Sequence, residues 1–265
     1  MQQLNAAFYC FAELGDPGAL KRDLRPSLER LGVRGTVIIA PEGINGFLAG
    51  GREAVQKALE LLRSFTPFAG LRSKESSSTG VPFEKLCIKV KKEIVTFRRP
   101  GHSPLETDAV AGRLSPAELD SWFRDRKEFV LLDTRNSYES RLGTFRGAHT
   151  PAMDHFVEFP SLVESLPEDW KKKPVVTFCT GGIRCEKAAP FLAAQGFENV
   201  WQLEGGILGY FEAMGGKHWE GECFVFDQRV ALGPDLAPTG ARLCPHCQGP
   251  VPSSHSSCIH CKAAL

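Results

Sequence analysis

The sequence predicts an α/β protein built from an N-terminal α+β domain, a parallel α/β domain and a short cysteine-rich tail. Three observations predict it. Strand and helix patterns alternate in the order βαββαβ over the first hundred residues. Three short apolar runs later in the chain are separated by helical patterns, and two C-x2-C pairs lie close to the end. A length of 265 residues gives two modest domains room for their own cores.

Taken in order, Ala6–Ala12 reads as a buried strand. Leu20, Leu24, Leu28 and Leu31 recur at four-residue spacing and form one stripe of a helix. Thr36–Ala40 is a β-branched strand, Pro41–Gly46 carries turn chemistry, and Phe47–Ala49 leads away as a third strand. Val55, Ala58, Leu59 and Leu62 mark a second helix, and Leu86–Val90 supplies a fourth strand. This order suggests a ferredoxin-like (acylphosphatase-like) sheet with two helices on one face, over residues 1–97. The glycine-rich stretch Glu42–Gly51 leads from strand to strand and lacks G-x-G-x-x-G, so it reads as a hairpin rather than a phosphate cradle.

Residues 98–113 contain Pro100, Gly101, Pro104 and Gly112 with little periodicity, and read as an interdomain linker. The second domain is expected over 114–218. Ser115-Pro116-Ala117-Glu118 is a capping box with proline at the first helical position. The apolar runs Phe129–Asp133, Pro174–Phe178 and Asn199–Leu203 read as strands, with helices near Cys185–Gln195 and Ile207–Ala213. Short apolar runs alternating with helices argue for a parallel sheet. Ligands of such sheets bind beyond the carboxyl ends of the strands, where Asp133 and Cys179 sit.

Composition excludes several classes. No run approaches the ~18 apolar residues of a membrane span. Met1–Asn5 lacks the basic and long apolar regions of a signal peptide, so a cytoplasmic location is expected. There, nine cysteines without scaffold-like spacing read as metal ligands, catalytic thiols or small core residues. The net charge of +1 hides an asymmetry: residues 1–100 carry sixteen Lys/Arg against ten Asp/Glu, and the remainder sixteen against twenty-one. A basic N-terminal half can attract a polyanion such as RNA; scatter on a solvated surface explains the same count.

The sharpest chemical signal is Cys179-Thr180-Gly181-Gly182-Ile183-Arg184, between a buried strand and a helix. A strand–loop–helix turn aims backbone N–H groups inward, and the helix N-terminus adds positive potential. Both favour thiolate, lowering a cysteine pKa from about 8.5 to roughly 3.5–7.5 at such sites. Gly181 and Gly182 permit the tight path, and Arg184 adds a positive charge near the sulfur. Tyrosine and dual-specificity phosphatases use C-x5-R. The C-x4-R ring here is one residue shorter and matches the rhodanese loop, whose cavity suits a sulfur atom. Cys185, directly after Arg184, either resolves an oxidised Cys179 or begins the helix packed inside with its side chain turned away from the loop.

The segments CTGGIRCEK (179–187), LLDTRNSYE (131–139), GTFRGA (143–148), FVEFP (156–160), LEGGILGY (203–210) and CFVFDQRV (223–230) together resemble the bacterial tRNA uridine-34 hydroxylase family. APEGINGFLAG (40–50) and KVKKEIVTF (89–97) fit it too. The resemblance runs in order along nearly the whole chain. It implies oxygen-dependent formation of 5-hydroxyuridine at the wobble position, a Cys179 persulfide intermediate, and a basic groove for the anticodon stem-loop. Splayed loop bases are the usual targets of RNA-modifying enzymes. A sulfurtransferase acting on a tRNA or protein acceptor, and a non-catalytic tRNA-binding module, are the alternatives.

Around the loop, Asp133 and Arg135 form a D-x-R element. Asp133 can accept loop N–H bonds or make a structural ion pair, and Arg135 can bind substrate phosphate. Glu139 can pair with Arg135 or Arg141. Asp227 and Arg229 either reach the site or pack the C-terminal segment against the domain. In the tail, residues 219–265, Cys244, Cys247, Cys258 and Cys261 suit a structural Zn²⁺ in a compact ribbon, with His246 or His260 able to replace a thiol. No flavin or nicotinamide fingerprint is present, and nothing in the sequence specifies an oligomeric state.

Overall fold

The computed structural model describes residues 2–107 and 111–265 and divides into two compact units, Met1–Thr96 and Phe97–Leu265. Of the expected linker, Asp108–Val110 lie outside the described residues. Phe97, expected to close the first domain, packs instead in the second unit, with its ring 5.2 Å from Phe156 and 5.5 Å from Phe191. Aromatic burial draws it across the boundary that proline and glycine content suggested.

The first unit runs β1 (Gln3–Phe11), α1 (Pro17–Arg30), β2 (Arg34–Ala40), β3 (Gly43–Gly50), α2 (Arg52–Ser64), β4 (Ser73–Ser78) and β5 (Leu86–Val90). Asp16 caps α1 by accepting the Ala19 N–H at 2.9 Å, and Pro17 sits in the first turn, where its missing donor costs nothing. The sheet order is β4-β1-β3-β2-β5. Leu24 and Leu28 of α1 and Val55, Leu59 and Leu62 of α2 pack into one cluster with Phe8, Ile39, Ile44 and Leu48 of the strands.

Two expectations need correction. The strand Leu86–Val90 is the fifth, pairing parallel with β2 on one edge. The fourth is Ser73–Ser78, antiparallel to β1 on the other edge, and its sequence SKESSS carries no apolar alternation to betray it. The turn expected over Pro41–Gly46 shrinks to Pro41-Glu42, because Gly43 already pairs with Ala40 and β3 begins there. Only glycine fits Gly43: its φ is +139°, and a Cβ would lie 2.0 Å from the Cys10 carbonyl oxygen.

The second unit contains β6 (Gly112–Leu114), α3 (Pro116–Arg124), β7 (Val130–Asp133), α4 (Ser137–Ser140), β8 (Gly143–Phe145), α5 (Phe159–Val163), β9 (Pro174–Phe178), α6 (Cys185–Ala194), β10 (Asn199–Leu203) and α7 (Gly206–Met214). The short pairs β11 (Trp219–Gly221), β12 (Cys223–Phe224), β13 (Ala231–Leu232), β14 (Arg242–Leu243) and β15 (Pro250–Val251) follow. The four-stranded sheet β6-β10-β9-β7 is parallel throughout. Its edge strand β6 starts inside the stretch expected to be linker; three residues are too few to show a period. The capping box of α3 is present, with Ser115 accepting the Glu118 N–H and Glu118 accepting the Ser115 N–H. Phe145, from β8, meets Phe178, Tyr210 and Trp219 edge-on, at 5.0, 4.8 and 5.1 Å. This aromatic plug ties the β8–β11 ribbon to the sheet and sits directly beneath the end of β9. Among the described residues, no helix is long and apolar enough to cross a membrane.

Candidate active site

Strand β9 is buried along Val175–Phe178 and releases the chain at Cys179. The loop 179–184 then curls over the sulfur. Gly182, at φ +100°, donates its N–H to Cys179 Sγ at 3.1 Å. The N-terminus of α7 clamps the loop from outside, with the Ile207 N–H donating to the Cys179 carbonyl at 2.9 Å and the Leu208 N–H to that of Thr180 at 3.1 Å. Gly206 makes this approach possible. A Cβ there would lie 2.4 Å from the Cys179 oxygen and 2.8 Å from the Gly182 nitrogen, and its φ is +60°. Thr134, just after β7, donates its hydroxyl to the Phe178 carbonyl at 2.9 Å and so joins two strand ends.

Cys179 lies at the floor of this ring, 0% exposed. Burial pushes its thiol up and is the largest single influence. The Cys185 thiol, the charge of Arg184 and the N–H groups of Arg184 and Gly182 outweigh it together and bring the thiol down to about 6. Cys185 is itself pushed far up, first by burial and then by the sulfur it serves, so it stays a thiol. The helix therefore does not turn Cys185 away from the loop: it is buried, and it faces the Cys179 sulfur on one side and Thr134 Oγ1, 3.7 Å away, on the other.

Arg184 is held by Glu139, a residue 45 positions earlier. Nη1 donates to Oε2 at 2.5 Å and Nη2 to Oε1 at 2.8 Å. The expected partners of Glu139, Arg135 and Arg141, are not the ones it takes. Its Oε2 also accepts the Asn136 N–H at 3.1 Å, as the acid of a capping box, and its Oε1 accepts the Thr180 hydroxyl at 3.3 Å. Burial pushes the Glu139 carboxyl up; the Arg184 and Arg135 charges and the Asn136 N–H overcome it and hold the carboxyl below its ordinary value. The N-x-x-E spacing at Asn136–Glu139 is the one local signal for this residue, and it announces only the helix cap.

Asp133 and Arg135 are both fully buried and face each other. Arg135 donates Nη2 to Asp133 Oδ2 at 2.6 Å, Nε to Oδ1 at 2.9 Å and Nη2 to the Gly143 carbonyl at 2.7 Å. Asp133 accepts from Arg135 and from the Thr144 hydroxyl, not from N–H groups of the loop. The phosphate-binding role considered for Arg135 does not hold, because a guanidinium with no exposed surface has no phosphate to meet. Asp227 and Arg229 repeat the same device, with Nε to Oδ1 at 2.8 Å and Nη2 to Oδ2 at 2.7 Å.

In the tail, the sulfurs of Cys244, Cys247, Cys258 and Cys261 lie within 4.8 Å of one another. Cys244 and Cys261 are 3.7 Å apart, and Cys247 and Cys258 3.6 Å. Four thiolates around a tetrahedral ion with bonds of about 2.3 Å would be about 3.8 Å apart, so the donor set and its spacing fit such an ion. The N–H groups of His260 and Cys261 point at Cys258 Sγ, as expected of a knuckle holding an anionic sulfur. Neither histidine joins the group, and His260 Nε2 is engaged with the Pro250 carbonyl at 2.9 Å.

Comparison with known proteins follows the same division. The family described as UPF0176 acylphosphatase like domain matches residues 4–94, and the rhodanese-like domain family matches 115–213. A protein of Ralstonia nicotianae named tRNA uridine(34) hydroxylase is 44% identical, over 98% of this chain and 97% of its own. Proteins of the same name from Xanthomonas axonopodis pv. citri and Thiobacillus denitrificans are 46% and 45% identical, over 88% and 93% of this chain and 96% and 100% of their own.

Proposed function

The chain belongs to the tRNA uridine(34) hydroxylase family, and on that premise we propose that it converts the wobble uridine of tRNA to 5-hydroxyuridine, with molecular oxygen as oxidant and Cys179 as the reactive group. The observation that carries this reading is the thiol cradle: a buried sulfur brought to a pKa of about 6 by the N–H groups and charge around it. At pH 7 such a group is thiolate by roughly ten to one. Gly182 and Arg184 supply the inward N–H groups, Thr180 joins the loop to Glu139, and Gly181 and Ile183 complete the ring. Arg184 stabilises the anion, while Glu139 and the Asp133–Arg135 pair position the elements without touching substrate.

Because Cys179 is 0% exposed, its own sulfur lies below the rim of the loop. A persulfide would add one S–S bond, about 2 Å, and carry a reactive sulfur toward the rim. That supports a persulfide state of Cys179. For substrate, the reading takes the anticodon stem-loop. Lys85, Lys89, Lys91 and Lys92 are all exposed on and beside the edge strand β5, with Arg34 exposed on the neighbouring β2, which makes a basic edge suited to phosphates. The reading includes a structural Zn²⁺, for which the donor set of Cys244, Cys247, Cys258 and Cys261 is the support, and a cytoplasmic location, which a tRNA substrate supports.

The test is nucleoside mass spectrometry of tRNA from cells whose only copy of the gene carries Cys179→Ala. Loss of 5-hydroxyuridine and its derivatives is expected; wild-type levels would overturn the reading. The short C-x4-R ring also favours a second reading, sulfur transfer from a Cys179 persulfide. Thiocyanate release from thiosulfate and cyanide, lost in Cys179→Ala, would support that reading, and inactivity would remove it.

A further inference from the structure

Beside the thiol loop stands an aromatic side chain that is mostly exposed to solvent. The chain between β12 and β13 is a tight turn closed by the Val225 N–H on the Val230 carbonyl at 2.9 Å and the Val230 N–H on the Asp227 carbonyl at 3.0 Å. Asp227 and Arg229 brace it through the ion pair described above, their side chains 0% and 5% exposed. Every apolar neighbour in the turn is buried: Phe224 at 9%, Val225 at 2% and Val230 at 6% exposure. Phe226, at the tip, is 59% exposed, the highest value among the exposed large hydrophobic side chains of the described residues. One edge of its ring rests on Phe224, centroids 5.0 Å apart at 87°, and Arg184 Cζ lies 5.9 Å from its centroid. A braced turn thus holds an aromatic face out into solvent, next to the arginine that closes the Cys179 ring.

We propose that Phe226 is the platform on which the pyrimidine base of the target nucleotide stacks, which positions the base beside the Cys179 loop. The inference rests on the tRNA-modifying function proposed above and deepens it. Single-stranded bases splayed from an RNA loop are commonly taken up on aromatic side chains, and a ring that accepts any π-face needs rigidity more than hydrogen bonds. Phe226 has that rigidity, from the Asp227–Arg229 brace and from Phe224. Arg184, over one face of the ring at cation–π distance, leaves the other face open for a base, next to the loop whose sulfur the same guanidinium borders. A buried structural role does not account for a ring this exposed. A site for an apolar peptide is the competing use, and the test separates the two.

The experiment uses the full-length protein and two synthetic anticodon stem-loops, one with uridine at position 34 and one abasic there. Affinities are read by fluorescence anisotropy for wild type, Phe226→Leu and Phe226→Tyr, with thermal midpoint and near-ultraviolet circular dichroism as checks of folding. Removing one base–aromatic stack weakens binding by about 5- to 150-fold. Phe226→Leu is therefore expected to lose that factor for the uridine stem-loop and nothing for the abasic one, and Phe226→Tyr to restore it. Equal affinity of wild type and Phe226→Leu for the uridine stem-loop overturns the proposal. So does an equal loss for both RNAs, or a wild-type protein that does not distinguish them. Cys179→Ala keeps Phe226 and should keep the discrimination. If it also keeps full tRNA hydroxylation, the proposed function fails while the stacking result stands on its own.

Discussion

Replacing Glu139 by glutamine is the perturbation that best separates folding from reactivity at this site. The carboxylate accepts four hydrogen bonds, two from Arg184 and one each from Asn136 and Thr180, at 2.5–3.3 Å. Glutamine keeps one oxygen. If that oxygen takes the place of Oε1, the amide NH₂ is turned toward two donors, Arg184 Nη1 and the Asn136 N–H, and both bonds are lost. Arg184 remains buried, at 8% side-chain exposure, without its counter-charge. Removing one partner of a buried ion pair costs about 3–5 kcal/mol. For a unit of this size that lowers the melting temperature by roughly 6–20 °C. The same change should strengthen the field at Cys179, because the positive charge of Arg184 is no longer shared with a carboxylate. The pKa of Cys179 then moves further down. Differential scanning calorimetry reads the first effect. The ultraviolet absorbance of the thiolate, taken as the difference from the matching Cys179→Ala protein, reads the second. A variant that melts like wild type, or whose thiol titrates at the same or a higher pH, would refute the assignment of Glu139 as the counter-ion of the loop.

Three further outcomes follow from the geometry. In wild type, the Cys179-dependent thiolate absorbance should rise with a midpoint near pH 6 and be flat above it. Since folding depresses this pKa, the thiolate contributes stability that is fully present above the unfolded value of about 8.5 and lost as pH falls through about 6, and a midpoint above 8 would contradict it. Gly206→Ala puts a Cβ 2.4 Å from the Cys179 oxygen at a positive φ. The left-handed backbone alone costs roughly 1–2 kcal/mol, and the loop must shift, so both the thermal midpoint and tRNA hydroxylation should fall, and unchanged hydroxylation would count against the clamp. Cys258→Ser should abolish bound metal, measured by elemental analysis as one ion per wild-type chain. A metal-free wild type would remove the zinc assignment.

Much of this was legible in the chain. Val130–Asp133 and Pro174–Phe178 are short and buried almost throughout, and appear as apolar runs because a covered parallel sheet leaves no polar alternation; Asn199–Leu203 is buried only in part, with Asn199 exposed. The C-x4-R loop is visible because its chemistry is contiguous. What the sequence hides is longer range. Glu139 and Arg184 are brought together by the fold across 45 positions, and no local pattern predicts which buried acid takes which arginine. Arg135 looks available as a charged residue; only its burial reveals that Asp133 consumes it. Phe226 resembles any other residue of an apolar segment until the turn shows it pointing outward.

The serine-rich strand β4 has a consequence of its own. A sheet that does not close on itself has a rim on each side, and a rim is a template for strands of other molecules. At one rim here the template reads Ser-Lys-Glu-Ser-Ser-Ser, which offers an incoming strand backbone partners but almost no oily surface to bury. At the other rim, Lys89 interrupts the apolar run of β5 and further lysines flank it. The polarity that conceals β4 from a search for hydrophobic rhythm thus also defends the protein against self-association through its own sheet. Making that strand more conventional, with valines in place of serines, would exchange colloidal safety for propensity.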